Sequence, residues 1–159
     1  MKRILNAQTR LDVALLSIRT MVGWVFVFHG AQKLFGWFGG HGIAGFSGYL
    51  ASLGIPLPEL NAYAAAGVEF FGGLALITGF GARSFAGPLV MTMLVASFTA
   101  HAGKFAASQG GMEYSLTLAV VTFALLLTGP GSLTLSRLVR RETAAQSIGG
   151  KEADARLAA

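Results

Sequence analysis

The sequence predicts an all-α fold: an integral membrane four-helix bundle with a short interfacial helix on the outer side after the first span. Of the 159 residues, 53% are hydrophobic and only 12% are charged, whereas a soluble domain carries about a quarter charged residues. The mean hydropathy is +0.62. A helix needs about 20 residues to cross the hydrocarbon core, and the runs that meet or approach this length cover about residues 11–35, 60–80, 84–102 and 113–130.

The first apolar run is expected to be a retained span and not a secretory signal. Its basic start is followed by the polar residues 6–10, and no short apolar stretch leads to a small-residue cleavage site. At about 100° per residue, one sector of this helix contains Arg19, Phe26, His29 and Lys33. Charged groups at bilayer depth are costly and face partners, so this sector is expected to face the bundle.

The connection after the first span contains a helical pattern of apolar residues. Among many glycines, Ile43, Phe46, Leu50 and Leu53 recur at helical spacing before Gly54. This spacing predicts a short amphipathic helix that lies on the outer surface as a lid. An ordinary interfacial anchor is the alternative.

The second span contains one carboxylate inside a stripe of small residues. Glu69 is flanked at helical spacing by small side chains that let another helix approach closely, namely Ala62, Ala65, Ala66, Gly72 and Gly73. At 1.5 Å per residue, Arg19 and Glu69 each lie roughly 12–13 Å from the start of their spans. The sequence therefore predicts a buried Arg19–Glu69 ion pair, and a structural role for it is favoured over a catalytic or proton-carrying one.

The remaining polar residues of the spans gather at the predicted outer ends. A four-helix bundle would bring them into one polar pocket under the lid, formed by His29, Gln32, Lys33, His101 and Glu113. His29, His101 and Glu113 are the candidate proton-handling groups, because histidine titrates near neutral pH and a nearby carboxylate can hold a proton. Quinol oxidation or an ion path would need such groups.

A metal or haem site is a more specific interpretation of the same polar pocket. His29 and His101 could ligate a haem, and Met91, Met93 or Met112 could bind copper. The sequence contains no close histidine pair, so neither haem nor metal is expected. With no cysteine, the chain itself offers no thiol relay, Fe–S cluster or disulfide exchange. Quinone remains the candidate cofactor.

Basic residues predict the orientation in the membrane. All but two of the assigned Lys and Arg residues fall on the side that holds both termini and the turn at Arg83; Lys33 and Lys104 fall on the other. The positive-inside rule places both termini in the cytoplasm of a multi-pass inner-membrane protein. Residues 1–141 are expected to form one domain, followed by a disordered cytoplasmic tail at 142–159. The basic charge is assigned to anionic lipid and not to nucleic acid.

Several blocks in order resemble one family of small bacterial inner-membrane proteins. The blocks are HGAQKLFGWFGGHGIAGF, AAAGVEFFGGLALITGFGAR, MLVASFTAHAGKF and GGMEYSLTLAVVTFALLLTGPGSLTL. From Leu11 to about Leu138 the chain resembles the DoxX family, which is related to DoxD-like quinone-linked proteins. The resemblance implies four membrane helices and an association with redox or thiol-handling enzymes. It gives no catalytic assignment for the motif positions His29, Gln32, Lys33, Glu69, His101 and Glu113.

Three functions are compatible with these features. The first is a redox-associated membrane subunit that binds quinone or quinol at the outer pocket while a peripheral or membrane redox partner exchanges electrons. The second is a non-catalytic scaffold that docks partner proteins. The third is a transporter of a small solute or metal, which would require a homo-oligomer because four spans are few for alternating access.

Overall fold

A computed structural model describes residues 6–135 and residue 137, and this part of the chain is entirely helical apart from turns and connections. The elements are α1 (Ala7–Phe35), a 3₁₀ turn (Trp37–Gly39), α2 (Gly42–Ser52), α3 (Pro58–Thr78), α4 (Ala82–Thr99), a second 3₁₀ turn (Ala107–Gln109) and α5 (Glu113–Thr128). The all-α prediction and the short helix after the first span are confirmed. The predicted tail at 142–159 lies outside the described residues.

Length and composition suit the helices to a bilayer. Within the described residues, α1 and α3 are long and apolar enough to cross a membrane, and α5 is apolar but shorter, at 16 residues. The surfaces of these helices carry large apolar side chains that water would not favour, such as Met21, Phe71 and Val120, which are 55–66% exposed. The structure is therefore that of a helical membrane bundle.

Local signals fix both ends of α1. The Asn6 side chain caps the first turn by accepting a hydrogen bond of 2.7 Å from the Thr9 backbone N–H. Gly36 ends the helix in the left-handed conformation, with φ of +72°, which glycine adopts without steric cost. The 29 residues between them make α1 the longest element of the described chain.

Glycines bring α1 and α3 into close contact. A Cβ atom at Gly23 would lie 2.7 Å from the Gly73 carbonyl oxygen, and one at Gly30 would lie 2.8 Å from the Phe70 Cα. Any larger residue at these positions would push the two helices apart. The predicted stripe of small residues on α3 thus serves as a helix-packing surface, as expected.

The other helices complete the bundle around one apolar cluster. A short turn with Gly79 and Gly81 at positive φ reverses the chain between α3 and α4. About two turns from this reversal Gly72 packs against Leu89, since a Cβ at Gly72 would lie 2.9 Å from the leucine side chain. The shared core includes Phe26, Leu76, Leu89, Leu118 and Leu125.

The bundle has two ends that we name by their charged residues. The Lys33 end holds the end of α1, the start of α3, the end of α4 and the start of α5, whereas the Arg19 end holds the opposite termini of α3, α4 and α5. Near the start of α1, Asp12 is buried and accepts hydrogen bonds from the Ser132 N–H, at 2.8 Å, and from the Ser132 hydroxyl. Asp12 thus ties the segment after α5 to α1.

Arg19 does not pair with Glu69, which corrects the sequence prediction. Its Nη1 donates to the carbonyl oxygens of Leu76 and Ile77 at 2.7 and 2.6 Å, and its Nη2 donates to the Leu133 carbonyl. The first two carbonyls belong to the last turn of α3, where the helix dipole and unpaired carbonyl groups favour a cation. Arg19 therefore caps α3.

The predicted Arg19–Glu69 pair is absent for a geometric reason. Gly73 packs between Gly23 and Val27 of α1, so Glu69, one turn earlier on α3, is level with about residue 29 of α1. Arg19 lies about ten residues, or ~15 Å, from that level. The prediction measured depth from the start of each span, but α1 and α3 are staggered along their axes.

Candidate functional site

Glu69 forms an ion pair with Lys33 at the Lys33 end. The Lys33 Nζ lies 2.5 and 2.6 Å from the two carboxylate oxygens of Glu69. The Glu69 side chain is 2% exposed and that of Lys33 is 28% exposed. A buried carboxylate is costly without such a partner, and the Lys33 ammonium is the group that offsets this cost for Glu69.

The short helix α2 contributes an aromatic ring to the same group. The Lys33 Nζ lies 5.0 Å from the centroid of the Phe46 ring, a distance at which the ring face attracts a cation. Lys33 on α1 thus contacts both α3 and α2. The predicted lid helix is present, and its Phe46, Leu50 and Leu53 face this region of the bundle.

A cavity of about 470 Å³ lies between α2, α3 and α4 and includes Lys33 and Glu69 in its wall. Its lining is mostly apolar and follows one face of each helix. On the α2 side the lining residues are Phe46, Tyr49 and Leu50, with Leu53 directly after the helix. On the α3 side they are Asn61, Ala64, Ala65, Val68 and Glu69. On the α4 side they are Pro88, Met91, Thr92, Val95, Ala96 and Thr99. This volume falls within the roughly 300–1,000 Å³ typical of small-molecule sites.

His101 lines the same cavity beyond the end of α4. Its Nδ1 lies 2.8 Å from the Gly110 carbonyl oxygen. Because a carbonyl oxygen only accepts, Nδ1 carries the proton of this hydrogen bond and Nε2 remains as the basic nitrogen of the neutral ring. The cavity therefore combines a cation, a carboxylate and a histidine with apolar walls.

A smaller cavity of about 310 Å³ adjoins the first and shares Lys33, Phe46 and Tyr49 with it. Gln32 lines this cavity, and its Nε2 donates to the Phe38 carbonyl oxygen at 3.3 Å. Phe38 has a φ of +53°, which is uncommon for a bulky residue. Gln32 thus holds a strained turn in place.

The structure separates the predicted pocket residues. Lys33 and His101 line the large cavity, Gln32 and Lys33 line the smaller one, and His29 and Glu113 line neither. His29 Nδ1 lies 3.2 Å from Gln32 Oε1, and its ring faces Tyr114 at 6.3 Å between centroids. Glu113 accepts a hydrogen bond of 2.7 Å from the Ala107 N–H within the α4–α5 connection.

A family model described as DoxX matches residues 14–102. The chain belongs to the DoxX family. Every residue that lines the large cavity, from Lys33 to His101, lies inside the matched range, whereas α5 and Glu113 lie beyond it. The cavity is thus built entirely from the DoxX part of the chain.

Two curated proteins resemble this DoxX protein over most of its length. "Putative oxidoreductase CatD" of Bacillus subtilis is 27% identical over 128 residues, covering 80% of this chain and 88% of its own. "Inner membrane protein YqjF" of Escherichia coli is 29% identical over 136 residues, covering 82% of this chain and 95% of its own. No solved structure matches the chain. The family and these names support a membrane protein.

Three features of this DoxX protein escaped the sequence analysis. Asp12 is an acidic residue inside the first predicted span, and the cost of such a residue was the signal that could have marked it. Asn61 and Thr92 are cavity residues on α3 and α4; their helical spacing from the other lining residues was visible in the sequence. The Lys33–Glu69 pairing had no local signal because it depends on the stagger of two helices.

Proposed function

We propose that this DoxX protein is a quinone-linked, redox-associated membrane subunit whose large cavity binds a quinone or quinol. The observation that carries the proposal is the Lys33–Glu69 ion pair in the wall of a mostly apolar cavity. Small-molecule sites typically combine apolar walls with a few fixed polar groups. The name of the relative CatD describes that protein as an oxidoreductase, which supports the same class.

The polar groups suit the two redox forms of such a ligand. A quinone has carbonyl oxygens that accept hydrogen bonds, and the Lys33 ammonium is a donor. A quinol has hydroxyl groups that donate, and the Glu69 carboxylate and the His101 Nε2 are acceptors. Of the three predicted proton-handling residues, only His101 lines the cavity, whereas His29 and Glu113 do not. We therefore assign proton handling to His101 and to Glu69.

The chain's part in the reaction is to bind the ligand and accept protons. Oxidation of a quinol to a quinone releases two protons and two electrons. Glu69 and His101 are placed to take the protons, and a separate redox partner protein takes the electrons. The chain has no cysteine and therefore no thiol pair of its own to reduce.

We also propose four spans in the bacterial inner membrane with both termini in the cytoplasm. The contact between Asp12 and Ser132 supports this arrangement, because it puts the chain segments before and after the bundle at one end. The absence of native cysteine permits a clean labelling test. A cysteine at exposed Ser108 should react with an impermeant maleimide in spheroplasts, and one at exposed Gln8 should react only after lysis; the reverse pattern would refute the orientation.

Ligand binding is tested with the protein in phosphatidylcholine nanodiscs and a decyl-tailed benzoquinone as the probe. The variants are Lys33→Met and Glu69→Gln, each matched by an exposed residue outside both cavities, Lys104→Met and Glu59→Gln. In Lys33→Met and in Glu69→Gln, loss of one charge-assisted hydrogen bond should weaken quinone binding roughly tenfold. In the two control variants the affinity should change less than twofold. Equal affinity in all five proteins would refute the proposal.

The two other functions make different predictions for the same proteins. A docking scaffold would leave quinone binding at the level of empty nanodiscs, and the cellular phenotype would survive loss of the ion pair. A transporter would show solute uptake into proteoliposomes above that of empty vesicles.

A further inference from the structure

We infer that the cavity takes its ligand sideways from the bilayer, between α3 and α4, and holds the first part of an isoprenoid or alkyl tail there. This inference rests on the proposed function and narrows it to a membrane-dissolved, tailed ligand. The residues that would contact the tail are Ala64 on α3 and Met91 and Val95 on α4. Of these three residues, the sequence had singled out only Met91, and only as a candidate copper ligand.

The shape of the cavity is the first observation. Its α4 face runs from Pro88 to Thr99 at spacings of three and four residues, which is one continuous stripe of a helix. The eleven steps from Pro88 to Thr99, at 1.5 Å each, span about 16 Å. The cavity is therefore an elongated groove parallel to the helix axes, and a compact head group alone would leave much of it empty.

The way in which α3 and α4 pack explains why the groove exists. The helices are in tight contact where Gly72 meets Leu89. Towards the Lys33 end the facing α3 residues are Ala64 and Ala65, whose methyl side chains leave the space between the helices unfilled. The groove extends from Pro88, beside the tight contact, towards the Lys33 end, where residues of α2 line it.

Exposure shows which side of the groove is open. Met91 is 61% exposed and Val95 is 49% exposed, although both line the cavity. Ala64 and Pro88 are exposed lining residues as well. In a membrane bundle, apolar side chains exposed at this depth face acyl chains and not water. The groove therefore opens to lipid along α3 and α4.

The charges give the ligand its orientation. Because Gly72 is level with Leu89 and the helices are antiparallel, Glu69 is level with about Thr92. A head group bound at Lys33 and Glu69 thus lies directly beside the opening lined by Met91 and Val95. A tail attached to that head leaves between the two helices, and its apolar surface remains out of water.

The test compares a tailed and a tailless probe with the same head. Full-length protein in phosphatidylcholine nanodiscs is titrated with a decyl-tailed benzoquinone and with the corresponding head-only benzoquinone, and empty nanodiscs correct for partitioning. Ala64→Trp places a large ring at the opening, and Ala124→Trp places the same ring on an exposed position of α5 that lines neither cavity. A photoreactive group on the tail maps the peptides that it contacts.

The inference predicts that Ala64→Trp weakens the tailed probe roughly tenfold and the head-only probe less than twofold, with Ala124→Trp unchanged for both. The tail should label α3 and α4 and not α5. Equal effects on both probes, or labelling of all lipid-facing helices alike, would overturn the inference while leaving quinone binding intact. If neither probe binds the unmodified protein above empty nanodiscs, the proposed function fails and the inference fails with it.

Discussion

The two ends of the bundle use the charged side chains of α1 in opposite ways. At the Arg19 end, the guanidinium of a 2% exposed arginine is bonded to main-chain carbonyl oxygens, including two from the last turn of α3. At the Lys33 end, the ammonium is bonded to a carboxylate, and both groups line a cavity. The first arrangement closes a helix end, and the second leaves polar groups beside open space.

The difference shows that burial of a charge does not by itself indicate function. Both charges cost free energy to remove from water, and both are compensated. What separates them is whether the compensating partner belongs to the main chain or is another side chain that a ligand can also reach. The four predictions below test that distinction, ordered from the largest expected effect to the smallest.

Removal of the Arg19 side chain should have the largest effect on stability. Arg19→Leu leaves three carbonyl oxygens without their donor, and each lost bond to a charged group costs about 1.5–3 kcal/mol. After relaxation we expect the free energy of unfolding to fall by ~3 kcal/mol or more, measured by SDS titration in detergent micelles. Folded Arg19→Leu should bind the tailed quinone with unchanged affinity; a selective loss of binding would place Arg19 in the site instead.

The Lys33–Glu69 pair should behave differently in a double-mutant cycle. Glu69→Leu leaves the Lys33 ammonium without its carboxylate and should cost ~2 kcal/mol of stability. Lys33→Met combined with Glu69→Leu removes both charges and should recover most of that loss, because apolar side chains replace buried pairs well. Quinone binding should weaken at least about tenfold in both variants. A double variant that binds quinone as well as the wild type would make the pair purely structural.

The sequence predicts those features of the structure that depend on residues close together along the chain. The helical spacing of Phe46, Leu50 and Leu53 is local, and it correctly predicted that a short helix, α2, follows the first span. The small residues around Glu69 likewise predicted a close helix contact, which Gly73 makes with Gly23.

The partners of the buried charges could not be predicted in the same way. The predicted Arg19–Glu69 pair required the start of each of these antiparallel spans to be level with the end of the other, but tertiary packing at Gly23 and Gly73 sets the stagger. Lys33, a predicted pocket residue, lines the large cavity, but nothing in its neighbourhood along the chain identified Glu69 as its partner. A cavity is also a property of several faces together, so the contribution of Thr92 emerges only when α3 and α4 are assembled.

His101 should affect binding more than stability, and two near-isosteric substitutions separate its nitrogens. His101→Asn can keep the hydrogen bond to the Gly110 carbonyl but removes Nε2 from the cavity. His101→Gln retains a polar atom near Nε2 but loses the bond at Nδ1. We expect the Asn variant to weaken quinone binding about fivefold at unchanged stability, and the Gln variant to show the smaller binding change. If the Gln variant loses more binding, the bond to Gly110 matters more than Nε2.

The smallest effect is expected at a neutral polar contact of the Lys33 end that lines neither cavity. The buried hydroxyl oxygens of Ser97 and Ser115 lie 2.7 Å apart, and each also lies within hydrogen-bond distance of a carbonyl oxygen of its own segment. Because each hydroxyl has one proton, one serine donates to the other, which joins α4 to α5, and the second donates to its carbonyl. Ser97→Ala should cost about 1 kcal/mol, because Ser115 keeps its bond to the Met112 carbonyl. Ser97→Ala with Ser115→Ala should add little to that cost, and neither variant should change quinone affinity. A loss comparable to that of Arg19→Leu would mean that neutral hydrogen bonds, and not the charge at the end of α3, dominate the polar stabilisation of this bundle.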